Sequence, residues 1–165
     1  MKMKRHILIV DENQYVVDIL VQTLSKDFKL TVANSGQEAA RLLIQGNRFD
    51  TVLTELDLPF FSGLELTKLI RMSHLTAQTP VVILSNVSDS AIRIDCLEQG
   101  VDAFLSKPFN PLEVKAKLHA VLRRADLSTQ KAPDNEPLQI KSENKSSWSQ
   151  RSRIVSMLLG DMAVS

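Results

Sequence analysis

Asp11, Glu12, Glu55, Ser85 and Lys107 each lie at or just after the end of a short apolar run: HILIV, TVLT, VVILS and AFLS. Carboxylate oxygens suit a hard divalent cation such as Mg²⁺, while a hydroxyl and an ammonium suit the oxygens of a phosphoryl group. If folding gathers these residues, the cluster could hold both. Taken singly, each has a plainer use. Asp11 or Asn13 could cap a first helix, Ser85 could cap a fourth, and Lys107 could be an exposed loop charge.

The elements needed to gather them are legible in the hydrophobic pattern. Compact apolar runs at residues 6–10, 29–33, 51–55, 81–85 and 103–106 read as strands buried on both faces. Between and after them come helical-period stretches at 15–25, 36–45, 63–74, 88–99 and 111–124. The first shows the logic: Val16, Ile19, Leu20 and Leu24 share one apolar stripe. Pro111 suits a helical first turn and Gly100 suits a helix C-terminus. Strand and helix alternating in this way predict an α/β fold with a parallel sheet covered on both sides. In such open sheets, binding and chemistry collect beyond the carboxyl ends of the strands, where the five residues would lie.

Composition excludes several function classes. The 165 residues carry a formal net charge of +1, without the basic excess that phosphate-backbone binding needs. The N-terminal MKMKRHILIV starts like a signal peptide, but its apolar run meets Asp11 and Glu12 after four residues. No stretch approaches the roughly 18 apolar residues of a membrane span. The single Cys96 allows no internal disulfide, so a cytoplasmic protein is expected. His6, His74 and His119 lack metal-ligand spacing. The five glycines are too far apart for a G-x-G-x-x-G loop. The strings DEN and ELDLP bear only a weak likeness to the Asp-x-Asp nucleophile of haloacid-dehalogenase-type phosphatases, and no enzymatic activity is expected.

Composition also divides the chain. Residues 1–125 form the expected domain, 126–150 read as a Ser-, Pro- and Asn-rich linker, and 151–165 regain apolar residues as a short amphipathic segment. In the tail, Lys131, Lys141, Lys145, Arg151 and Arg153 are matched by Asp126, Asp134, Glu136, Glu143 and Asp161, which does not favour direct nucleic-acid binding.

Over residues 5–125 the chain resembles the receiver domain of two-component response regulators. The likeness rests on ILIVDEN, on FDTVLTELDLPFFSG with its Pro four and Gly eight residues beyond the acidic strand end, on VVILS, and on GVDAFLSKPF. It implies a flavodoxin-like fold with strand order 2-1-3-4-5. It also implies that Asp11 and Glu12 are the acidic Mg²⁺ pair, that the backbone carbonyl of Asp57 joins them, and that Ser85 and Lys107 contact phosphate. Phe104 would be the aromatic switch, and Glu55 falls on the phospho-accepting aspartate. Asp57 cannot replace it, being displaced by about 6–7 Å along an extended chain.

A glutamate carries its carboxylate one methylene further out, away from where an attacking oxygen or an Mg²⁺ ligand should be. Phosphoryl transfer depends on position, so little or no phosphorylation is expected. The longer arm could instead reach Lys107 and Ser85 and imitate a phosphate, or the site could be silent on a retained interaction scaffold. Either way the expectation is an atypical receiver acting by protein contact; the alternative is a still phosphorylatable two-component regulator that influences transcription through a partner. Its partner would be a sensor kinase, another regulator or an effector, met through the face formed by the fourth helix, fifth strand and fifth helix. Phe60 and Phe61, beside the site, could each pack inward or anchor a partner.

Overall fold

The computed structural model describes residues 2–130. Five strands, β1 (His6–Val10), β2 (Lys29–Ala33), β3 (Thr51–Thr54), β4 (Val81–Ser85) and β5 (Ala103–Ser106), alternate with five helices. The helices are α1 (Gln14–Leu24), α2 (Gly36–Ile44), α3 (Gly63–Met72), α4 (Ser90–Glu98) and α5 (Pro111–Gln130). The strands form one parallel sheet in the order β2-β1-β3-β4-β5. This is the α/β, flavodoxin-like architecture expected.

Alternation along the strands splits the core in two. Leu8, Val10, Val52, Val81 and Ile83 pack in one layer with Leu66 and Ile70 of α3 and Cys96 of α4. Ile7, Ile9, Leu53, Val82, Leu84 and Leu105 pack in the other with Leu20 and Leu24 of α1 and Val114 and Leu118 of α5. Each such side chain stabilises the fold by about 1.5–3 kcal/mol through burial, before the entropy of ordering is subtracted.

Local signals place the helix ends. Asn13 caps α1 by accepting from Tyr15 N and Val16 N, and Ser62 with Glu65 forms a reciprocal capping box on α3. Gly100, at φ +106°, ends α4 with Val101 N donating to Cys96 O and Gly100 N to Leu97 O, the paired bonds of a Schellman turn. Asp89, not Ser85, caps α4.

The first four helices shift by one or two residues from the expected bounds, and two further boundaries move. Glu55 lies one residue beyond β3, although its N–H still donates to Val10 O at 2.9 Å. The domain does not end at residue 125, because α5 continues to Gln130 and takes in the first residues assigned to the linker. Composition changes there, but no helix breaker arrives until Pro133. Asp126 also gains an ion pair with Arg5. The remainder of the predicted linker, Trp148 and the segment 151–165 lie outside the described residues.

Candidate functional site

Strand register brings the chemistry together. Val10 pairs with Thr54, so the residues that follow, Asp11 and Glu55, emerge side by side; Ser85 pairs with Ser106, so Lys107 emerges beside Ser85. Asp11, Glu12, Asn13, Val16, Glu55, Asp57, Asn86 and Lys107 border an open cleft of about 320 Å³.

At its floor, Lys107 Nζ donates to Asp11 Oδ2 at 2.8 Å and to Glu55 Oε2 at 2.5 Å. Asp11 and Glu55 are 2% and 8% exposed, so two buried carboxylates share one half-buried ammonium. The remaining oxygens are also engaged. Asp11 Oδ1 accepts from Asn13 N at 2.8 Å, and Glu55 Oε1 accepts from Leu56 N at 2.7 Å and Asp57 N at 3.1 Å. Burial is the largest influence on the Lys107 ammonium and acts to lower its pKa. The hydrogen bonds and charges of Asp11 and Glu55 together outweigh it and hold the group above its ordinary value of 10.5.

The extra methylene of Glu55 is used as follows: one oxygen folds back on the N–H groups of its own loop and the other reaches Lys107. Ser85 is fully buried, and its Oγ faces Val87 N at 3.4 Å, so the expected reach of Glu55 towards Ser85 is not made. Glu12 and Asp57 are exposed at the rim. Phe104 is half-buried against the core, with the Arg93 guanidinium 4.9 Å from its ring centre.

Glycine spacing has a steric cause here. A Cβ on Gly63 would stand 2.3 Å from Glu55 O, so the start of α3 can press against the Glu55 backbone only without a side chain. Gly63→Ala is expected to cost about 1–3 kcal/mol of stability in a urea titration, as overpacking against an unyielding backbone does.

A family model described as the response regulator receiver domain matches residues 7–119. The chain is a member of the response regulator receiver family. Among curated relatives, the transcriptional regulatory protein CpxR of Escherichia coli K12 is 34% identical over 125 residues, covering 75% of this receiver and 52% of CpxR. SrrA of Staphylococcus aureus is 32% identical over 128 residues, covering 77% of this chain and 52% of SrrA. The receiver thus spans about half the length of the curated relatives it matches. Among solved structures, the receiver domain of Francisella response regulator 1452 is 27% identical with a TM-score of 0.67, over 73% of this chain and 98% of that one. The receiver domain of Pseudomonas aeruginosa sensor kinase PA1611, crystallised with a magnesium ion in its active-site cleft, is 26% identical with a TM-score of 0.63, over 73% and 99%.

In this arrangement the Lys107 ammonium lies between the carboxylates of Asp11 and Glu55, while Glu12 and Asp57 border the same cleft with exposed side chains. The four carboxylate oxygens of Asp11 and Glu55 already have partners, and Lys107 supplies the balancing positive charge between them. Among the described residues no three His, Cys, Asp or Glu side chains gather as a ligand set. Two contributors were not anticipated. Asn13 holds Asp11 through its backbone N–H, and Asn86 stands at the mouth of the cleft directly after Ser85. The adjacency of Asn86 to Ser85 was the only signal for it.

Proposed function

We propose that this receiver signals by protein contact without a phosphorylation cycle, with Glu55 standing partly in place of an aspartyl phosphate. The observation that carries this reading is the 2.5 Å contact from Lys107 Nζ to Glu55 Oε2. A carboxylate at this position supplies to Lys107 one of the oxygens that a phosphoryl group would present. Ser85 remains outside the imitation.

One charge-assisted hydrogen bond contributes about 1.5–3 kcal/mol. Complete reversal of a 1:99 equilibrium takes about 5.5 kcal/mol. Made only in the active arrangement, the Glu55–Lys107 bond would raise an active fraction of about 1% to between about 10% and 60%. The reading is therefore a standing partial signal from a cytoplasmic protein. It is delivered through α4, β5 and α5, where Phe104 responds to the site, to a sensor kinase, regulator or effector. Mg²⁺ has no part in it, and neither does direct nucleic-acid contact. Ser85, buried with its Oγ on Val87 N and not on Glu55, favours a second reading, a silent site on an interaction scaffold.

Incubation of the full chain with acetyl phosphate and Mg²⁺ is expected to leave its intact mass unchanged; stoichiometric phosphate on Glu55 would overturn the proposal. Affinity baits of wild type and Glu55→Gln, used side by side, separate the two readings. Partners held by wild type and lost with Gln support the standing signal, and equal retention supports the scaffold.

A further inference from the structure

The loop between β3 and α3 treats its two phenylalanines in opposite ways. Phe61 packs against the core cluster and sits so close to α2 that a Cβ on Gly36 would stand 1.9 Å from Phe61 O. Phe60 is 91% exposed. Its φ is +65°, and Phe61 N donates to Pro59 O at 2.7 Å, closing a three-residue γ-turn in its rare left-handed form. A β-carbon in this region of backbone space is unfavourable, and glycine would remove the conflict.

Phe60 therefore costs stability through its backbone and gains none through its ring, which stays in water as it does in the unfolded chain. Phe61 and the γ-turn prevent the loop from swinging it inward. Strain held in place by its surroundings and spent on exposing an apolar ring points to binding.

The setting defines the partner. In the loops that close the carboxyl ends of the strands, Glu12, Asp57 and Asp89 are exposed, and the one basic residue there, Lys107, is held by the buried Asp11 and Glu55, although the whole chain carries a net charge of +1. The first turns of α2, α3 and α5 add Glu38, Glu65 and Glu113. A second ring, Tyr15 in the first turn of α1, is 83% exposed on the same rim. We infer that Phe60 is the anchor of a protein interface at this acidic rim, inserting into an apolar pocket ringed by Lys and Arg on the partner. This rests on the reading that the chain works by protein contact, but it places a contact outside the α4-β5-α5 face and does not depend on Glu55.

The test uses the full chain with a photo-crosslinking phenylalanine analogue at position 60, irradiated in its native cytoplasm. The same analogue at Met72, 81% exposed at the far end of α3, is the control. A protein trapped at 60 and not at 72 is then purified and titrated against wild type, Phe60→Gly, Phe60→Tyr and Glu55→Gln by calorimetry at low and high salt. The inference requires binding that weakens with salt, falls at least about 30-fold with Phe60→Gly, and survives Phe60→Tyr. It also requires Phe60→Gly to melt no lower than wild type, since glycine relieves the turn. Equal trapping at both positions, unchanged affinity of Phe60→Gly, or a lower melting temperature would overturn it. Loss with Glu55→Gln but not with Phe60→Gly would leave the proposed function standing and remove this interface. Loss with Phe60→Gly alone would establish this interface and leave the role of Glu55 to the phosphorylation and affinity experiments above.

Discussion

Glu55→Asp is expected to take up phosphate from acetyl phosphate in Mg²⁺ at least about 100-fold faster than wild type, followed by intact mass against time. The change withdraws the carboxylate by one methylene, on the order of 1.5 Å. In the wild type that methylene lets Oε1 fold back onto Leu56 N and Asp57 N while Oε2 sits on Lys107. Neither oxygen is then free to attack in line, and a displacement of about 1 Å already costs on the order of 100-fold in rate. An aspartate cannot span both sets of contacts, so its outer oxygen is released towards the cleft. Asp11, Ser85 and Lys107 stay in place, held by strands that the substitution does not touch. A Glu55→Asp protein as inert as wild type would show that the block lies in other residues, with Asn86 at the cleft mouth the first to exchange.

Lys107→Met is expected to lower stability by about 3–5 kcal/mol at neutral pH, read from the urea midpoint. Methionine keeps most of the stem and removes the ammonium, leaving Asp11 and Glu55 buried and facing each other. The cost is that of two like charges stripped of their shared counter-charge, and it exceeds the net value of the pair itself. Adding Glu55→Gln to Lys107→Met should recover part of the loss, since one of the two buried charges goes with it. The pH dependence has a definite sign. Lys107 is held above its ordinary value of 10.5 in the folded protein. Its contribution is therefore fully present below about pH 10.5 and disappears as pH rises through the folded-state value. A Lys107→Met protein as stable as wild type across the neutral range would mean that the cluster is open to water and worth little.

Local pattern determined much of this protein. Five apolar runs separated by helical-period stretches specify a covered parallel sheet, because strands buried on both faces and helices with one apolar stripe have few other ways to exclude water. The carboxyl-end rule then gathers Asp11, Glu55, Ser85 and Lys107 at one edge of the sheet. Side-chain type alone was also enough to show that Glu55 has a different reach from an aspartate. Sequence composition failed where α5 ends, since a change to polar residues does not stop a helix that meets no breaker and gains an ion pair with Arg5.

Only the tertiary structure decided how the cluster is wired. By its length the Glu55 arm could be expected on Lys107 or Ser85; the structure puts one oxygen on Lys107 and the other on the loop N–H groups of Leu56 and Asp57. The same is true of the two phenylalanines. Adjacent and identical in type, they carry no signal of which is buried; the closeness of α2 at Gly36 pins Phe61 inward, and the γ-turn this leaves behind turns Phe60 out. Sequence sets what each side chain can do, and the packing of distant elements sets which of those things it does.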